Sequence, residues 1–330
     1  MGQQVVSASP HTHDGTTTRR IMLDVLIALL PALIVAMIRF GFHALALAVV
    51  CVAVCVLAEY LSRLVMKREN TIDDLSAAVT GLILALNLPA GLPLWMAAFG
   101  SVIAIVVVKQ FFGGLGQNFV NPAMTARIIL MLCFASAMTT WPAPGSTLWA
   151  DGVTCASPLA SLKKVTRGNL ALNDANLPSL PDMLLGARAG CMGETCSLAL
   201  LAGGIYLLCR RVISPIIPAS FIGTVFLCML LKTLDVQAAL YEILSGGLFL
   251  GAIFMATDYA TSPINPWGKL IFGIGCGLIT VAIRLWGSLP EGVSYSIILM
   301  NILVPHIDTL TLARPFGVAK VKKAKEAKTA

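Results

Sequence analysis

Charge is what this chain has least of. Of its 330 residues only 12% are Asp, Glu, Lys or Arg, 57% are hydrophobic, and mean hydropathy is +0.86. That much polar surface cannot cover a water-soluble globule, so the composition excludes a soluble domain and predicts an all-α polytopic membrane protein. Other absences narrow the chemistry. The nine cysteines include no Cys-x-x-Cys pair, which gives no support to an iron–sulfur or zinc site within the chain. His11, His13, His43 and His306 are too dispersed for a ligand set, so no metal site is expected. The Gly113-Gly-Leu-Gly116 stretch lacks both a preceding strand and the third glycine of a dinucleotide fingerprint. The net charge of +7 is carried beside apolar segments and in the 320–328 tail, without interleaved aromatics, which fits a positive-inside bias and not a nucleic-acid partner.

Apolar length is what the chain has in abundance. A hydrocarbon core of about 30 Å needs roughly 20 apolar residues per helix. Ten candidates occur, several of them short: 21–40, 43–61, 76–90, 93–110, 123–140, 197–209, 214–232, 239–256, 268–286 and 292–306. The basic residues Arg19, Arg20, Arg63, Lys67, Arg68, Arg210, Arg211, Lys269 and Arg314 fall on one side under this count, which predicts cytoplasmic termini. The first twenty residues show no cleavable small-residue site, so the first apolar segment is expected to remain as a helix. The organisation read from this is a cytoplasmic segment 1–20, a five-helix half 21–140, an outer-side loop 141–196, a second five-helix half 197–306 and a basic cytoplasmic tail 307–330.

The halves resemble each other. Thr80-Gly81, the Leu88-Pro89 break, Trp95 and Phe99-Gly100 parallel Gly246-Gly247, Ser262-Pro263, Trp267 and Phe272-Gly273. An odd number of crossings precedes the second half, so the repeats are expected to be inverted, an arrangement found in proteins that move small solutes or ions through a midplane site. The breaks at Asn87-Leu-Pro89 and 261–266 are then candidates for unwound backbone along a pathway; the alternative is plain interfacial turns. Carboxylates in or beside apolar segments are few, and Asp258 and Asp24 stand out as ion-pathway candidates, the alternative being helix-end charges paired with Arg or Lys.

In the 141–196 loop, Asp151-Gly-Val-Thr-Cys-Ala-Ser-Pro158 places two hydroxyls, Thr154 and Ser157, between a glycine and a proline, where a tight turn can expose both. Alone it reads as an ordinary loop with an oxygen nucleophile for attachment of a group. Lys163, Lys164, Arg167 and Arg188 could offset a phosphate there, or be simply solvated.

Five ordered blocks carry a resemblance. They are Ser9-Pro-His11, Arg20-Ile-Met-Leu-Asp24 with Ala28-Leu-Leu-Pro31, the run from Lys109 through Asn118 to Asn121-Pro-Ala123, Gly193-Glu-Thr195, and Ala256-Thr-Asp258 through Pro263. Together, over about 7–317, they resemble the D subunit of the Rnf electron-transport complex, which is similar to the B subunit of the sodium-translocating NADH:quinone oxidoreductase. The resemblance implies a membrane flavoprotein subunit, not catalytic alone, of a complex that couples ferredoxin:NAD⁺ electron transfer to Na⁺ or H⁺ translocation in a bacterial or archaeal cytoplasmic membrane. It implies FMN joined through a phosphoester within a motif Asp-x-x-Ser/Thr-x-Ala-Thr. On this chain Asp151 and Gly152 open the motif, Thr154 is the first hydroxyl and Ser157, in place of the usual threonine, is the attachment oxygen. It also leaves room for a second, noncovalent flavin such as riboflavin near Asn118 and Asn121, against a purely structural loop. With no cluster ligands or nucleotide domain of its own, the chain is expected to exchange electrons through partner subunits in the lipid membrane. Two readings compete with this: a stand-alone secondary transporter, and a noncatalytic scaffold.

Overall fold

The structure, a computed structural model, describes residues 16–142, 155, 157–166, 177–186, 188–287 and 291–312. Among these residues regular structure is helical, with a single isolated bridge between Pro89 and Cys191. The first half comprises α1 (Thr18–Phe40), α2 (Phe42–Val65), α3 (Ser76–Leu86), α4 (Leu94–Val102) running on as a π-helix (Ile103–Gln110), α5 (Pro122–Cys133) and the short α6 (Ala135–Met138). Two short helices follow, α7 (Pro158–Thr166) and α8 (Leu180–Leu185). The second half comprises α9 (Ser197–Cys209), α10 (Ile216–Thr233), α11 (Val236–Leu244), α12 (Leu248–Leu250) with its π-helical continuation (Gly251–Met255), α13 (Pro266–Trp286) and α14 (Val293–Thr311).

Five of these helices, α1, α2, α10, α13 and α14, are long and apolar enough to cross a membrane, and α11 with α12 forms a broken span bent by 65°. Four shorter apolar helices, α3, α4 with its continuation, α5 and α9, complete the bundle. The chain is therefore an all-α polytopic membrane protein. On α1 the side chains Leu23, Ile27, Leu30, Ile34 and Ile38 face outward while Ala28, Leu29, Ala32, Ala36 and Phe40 are buried. Both stripes are apolar, which only a lipid-facing helix can tolerate.

Small residues set the spacing. A Cβ on Gly81 of α3 would lie 2.8 Å from the carbonyl oxygen of Cys51, so α2 and α3 pack backbone to backbone. Elsewhere α1 packs on α9, α10 on α13, and α14 on both α13 and α5.

Four expectations need correction. The 123–140 segment is two helices, since α5 stops at Cys133 and Phe134 leaves helical conformation; the 239–256 segment kinks where Gly246 takes a left-handed φ of 72°. Pro158 does not close an exposed turn but opens α7, where a missing N–H costs nothing. The 141–196 loop is not wholly water-facing either, because residues 188–197 are buried. The amides of Met192 and Gly193 donate to the carbonyls of Leu88 and Leu86, at 3.1 and 2.7 Å. Gly193 is wedged so that a Cβ would come within 2.8 Å of Leu86 and 2.9 Å of Leu250. That wedge is the structural reason for glycine in the Gly193-Glu-Thr195 block: it touches the short helices of both halves at once.

Candidate functional site

Ser157 stands immediately before α7, half-buried, and its carbonyl accepts the Ala160 amide at 3.0 Å. Pro158, Leu159 and Leu162 anchor α7 to the bundle, and Lys163 Nζ donates to the Gly287 carbonyl at 2.8 Å. Nearby, the Cys155 amide donates to Trp141. These ties hold Ser157 at the wall of a cavity of about 320 Å³ that is also lined by Arg127, Trp141, Glu291, Ser294 and Tyr295. Asp151, Gly152 and Thr154 lie outside the described residues.

The floor of this cavity is a buried ionic cluster. Arg127, the only charged residue of its apolar segment, reaches Glu291 through two bonds of 3.1 and 2.5 Å. It also reaches Glu194 at 3.5 Å, Cys191 Sγ at 3.2 Å, Ser294 Oγ at 3.1 Å and the Asn87 side-chain oxygen at 3.0 Å. The ligating atoms of Cys191, Glu194 and Glu291 lie within 4.8 Å of one another, a grouping that could hold a metal ion, but the guanidinium already supplies their positive charge. Burial and the neighbouring Glu291 push the Glu194 carboxyl up to about 7. Burial also opposes the charge on Glu291, but Arg127 outweighs it and holds that carboxyl below the usual range.

Beside this floor, a smaller recess is lined by Ser157, Trp141, Arg188, Glu194 and Glu291. Arg188 is 3% exposed. Its Nη2 donates to the Glu194 carbonyl and to Ser197 Oγ, and burial pulls its guanidinium down to about 10, yet Nη1 has no partner. A buried, unsatisfied cationic donor beside a hydroxyl is a ready anion receptor.

A second cavity, of about 90 Å³, lies at the other end of α5 and gathers Asn118, Asn121, Asp258 and Lys109. Asn121 caps α5 by accepting the amides of Ala123 and Met124 and donates to the Met255 carbonyl at 3.4 Å; Asn118 donates to Val120 at 3.1 Å. Lys109 Nζ is held by Glu59 at 3.0 Å and Ser76 at 2.6 Å, and Gln110 also donates to Glu59. Asp258 accepts from Thr261 and forms no ion pair among the described residues. Asp24 is elsewhere: it pairs with Arg210 at 3.2 Å and accepts from Tyr206 at 2.9 Å, at the wall of a third cavity. The structure thus joins Asn118, Asn121 and Asp258 in one place, puts Ser157 in another, and separates Asp24 from both.

Arg127 and Glu291 were not singled out from the sequence. The signal for Arg127 was a lone charge inside an apolar segment, which is costly enough to demand a partner; for Glu291, outside any such segment, there was none.

A multi-pass helical membrane protein with two polar cavities at opposite ends of one short helix is the class these features define. The family model described as the NQR2, RnfD, RnfE family matches residues 5–317, and the chain belongs to that family. It is 46% identical over 324 residues to the D subunit of the Na(+)-translocating ferredoxin:NAD(+) oxidoreductase complex of Acetobacterium woodii, covering 98% of each chain. It is 39% identical to the D subunit of the proton-translocating ferredoxin:NAD(+) oxidoreductase complex of Clostridium ljungdahlii, covering 96% of each. To the D subunit of the ion-translocating oxidoreductase complex of Stutzerimonas stutzeri it is 40% identical, over 90% of this chain and 92% of that one.

Proposed function

We propose that this chain is the D-type subunit of an ion-translocating ferredoxin:NAD⁺ oxidoreductase complex and that it carries FMN esterified to Ser157. Full-length similarity to proteins named as complex subunits supports the first statement over a stand-alone transporter or a scaffold. One observation carries the second: Ser157 lines the same recess as Arg188, a buried arginine whose Nη1 has no hydrogen-bond partner. A phosphodiester on Ser157 brings the anion that this guanidinium lacks. The adjoining cavity of about 320 Å³ falls within the usual ligand-pocket range of roughly 300–1,000 Å³ and offers Trp141 and Tyr295 as aromatic walls. Bound there, FMN supplies one- and two-electron chemistry. The chain's own residues supply the tether, the counter-charge and a rigid ionic floor, and electrons come and go through partner subunits.

A noncovalent flavin beside Asn118 and Asn121 fits less well, because the cavity there is about 90 Å³ and both side-chain amides are engaged by backbone. The membrane we infer is the bacterial or archaeal cytoplasmic membrane, with both termini cytoplasmic and Ser157 on the outer side. The named relatives move Na⁺ in one case and protons in another, so the reading stays at ion translocation.

The test is yellow in-gel fluorescence of the denatured chain from the purified complex, followed by mass spectrometry of the peptide containing Ser157. The native chain is expected to carry a flavin-nucleotide mass on Ser157, and Ser157→Ala to lose it while the complex assembles. Label that persists in this variant, or sits on Thr154, overturns the assignment.

A further inference from the structure

The cavities at Ser157 and Asp258 approach each other at a junction where two short helices stop. Helix α3 ends at Leu86 with Asn87 as its cap, and the helix beginning with α12 ends at Met255. The two ends touch: Asn87 Nδ2 lies 3.7 Å from Met255 Sδ, and the Met255 carbonyl accepts from Asn121. Helix C-termini carry partial negative charge from their aligned peptide dipoles, so a cation is favoured at such a junction.

Helix α5 runs past the junction. Its first turn, with Asn121, Pro122 and Ala123, lines the Asp258 cavity, whereas Arg127, Ile128 and Met131 line the Ser157 cavity. From Asn121 to Arg127 the helix rises only about 9 Å, a small part of a hydrocarbon core of about 30 Å. What separates the two cavities is therefore a thin septum of Asn87, Asn121, Met255 and Arg127. Arg127 is the charged member. It is gripped by Glu291 on the Ser157 side and by Asn87 on the junction side, and a guanidinium does not surrender its proton.

We propose that Arg127 is the electrostatic plug of an ion path joining the two cavities: its fixed positive charge bars a cation from passing the junction of the two short helices. The partners follow from this role. Glu194 and Glu291 offset the cost of burying the guanidinium from the Ser157 side, whereas the junction side meets it through the neutral Asn87 amide oxygen, so the positive end of these ion pairs faces the passage. Take the guanidinium away and the passage from the Ser157 cavity offers two carboxylates followed by two carbonyl-bearing helix ends, all favourable to a cation. This inference does not depend on a flavin at Ser157.

The whole complex, native or with Arg127→Gln or Arg127→Lys, is reconstituted into liposomes without an electron donor. Entry of radioactive Na⁺ and decay of an imposed pH gradient are followed separately. The native complex is expected to be tight. Arg127→Gln is expected to admit Na⁺ or H⁺ faster by on the order of tenfold or more, and Arg127→Lys, which keeps the charge, to stay within about twofold of native. An assembled Arg127→Gln complex as tight as native overturns the proposal. So does Arg127→Lys leaking as fast as Arg127→Gln, since packing and not charge would then form the barrier. Should Arg127→Gln alone fail to assemble with its two carboxylates unpaired, the double variant Arg127→Gln with Glu194→Gln removes one charge of each sign. The same leak is expected of it, and a tight double variant counts equally against the plug.

Discussion

The Ser157 cavity and the Asp258 cavity draw on the same short helix, but they differ in whether their polar groups are already satisfied. At Asp258 the amides of Asn118 and Asn121 are bound to backbone, and Lys109 is locked between Glu59 and Ser76. At Ser157 the recess is lined by that serine and by Arg188, whose buried Nη1 has no hydrogen-bond partner. Satisfied groups make a rigid wall; an unsatisfied buried cation makes a receptor. That difference is why we propose a ligand for the larger cavity and ion passage for the smaller one, with its unpaired carboxylate.

Each cavity is backed by a buried acid–base pair, and the two pairs are built differently. Glu59 is bound by Lys109 and Gln110, and Lys109 has only Ser76 besides. Arg284 binds the Glu242 carboxylate at 3.0 Å but also the backbone carbonyls of Glu242 and Ser245, at 2.6 and 3.2 Å. Glu59→Gln should therefore have the largest effect on stability, because it strands a buried ammonium, a loss of about 3–5 kcal/mol. Glu242→Gln should cost about 1–3 kcal/mol, since the guanidinium keeps its carbonyl partners. Thermal unfolding of the detergent-solubilised complex measures both, and equal losses would erase the distinction between the pairs.

Glu194 sharpens the contrast through pH. Its carboxyl is pushed up from 4.5 to about 7 by burial and by Glu291, with Arg127 pulling the other way. Between those values the folded chain holds a proton that the unfolded chain has released. Stability from this group is thus greatest below about pH 4.5, falls as pH rises toward 7 and stays low above it. Glu194→Gln should flatten that part of the stability profile, while Lys109→Arg at the other cavity should leave it intact. If the slope survives in Glu194→Gln, a different group is responsible.

Much of this was legible from residues alone, and the failures have physical causes. Apolar length located the apolar helices among the described residues, though not the breaks within 123–140 and 239–256, and the Pro and Gly interruptions marked the junctions at Asn87 and after Met255. Hydropathy could not see that 188–197 folds back into the bundle, because Gly193, Glu194 and Thr195 read as polar loop until the wedge against Leu86 and Leu250 is known. Nor could it pair Arg127 with Glu291, which are far apart in sequence and meet only because α5 and α14 pack together. Attachment at Ser157 was suggested by its hydroxyl and by resemblance; the unpaired Nη1 of Arg188 in the wall of the same recess is a tertiary fact.

The smallest effect is expected at Asp24, and it separates the two carboxylates that sequence alone ranked together. Asp24 has Arg210 and Tyr206 as partners, and the Arg210 side chain is 39% exposed, so solvent screening leaves the pair little to contribute to stability. Asp258 has a hydroxyl partner and faces the cavity at the short-helix junction. In liposomes holding the whole complex, ions moved per electron can be measured for Asp24→Asn and Asp258→Asn beside the flavin content of each. Asp258→Asn is expected to lower the ratio with flavin content unchanged, because a cation at the junction loses the one nearby carboxylate without an ion pair among the described residues. Asp24→Asn should leave the ratio at the native value and stability nearly so, since Arg210 there can turn to water. A lowered ratio in Asp24→Asn with a native one in Asp258→Asn would move the path to the Arg20 and Arg210 side of the molecule and leave the Asp258 cavity as structure alone.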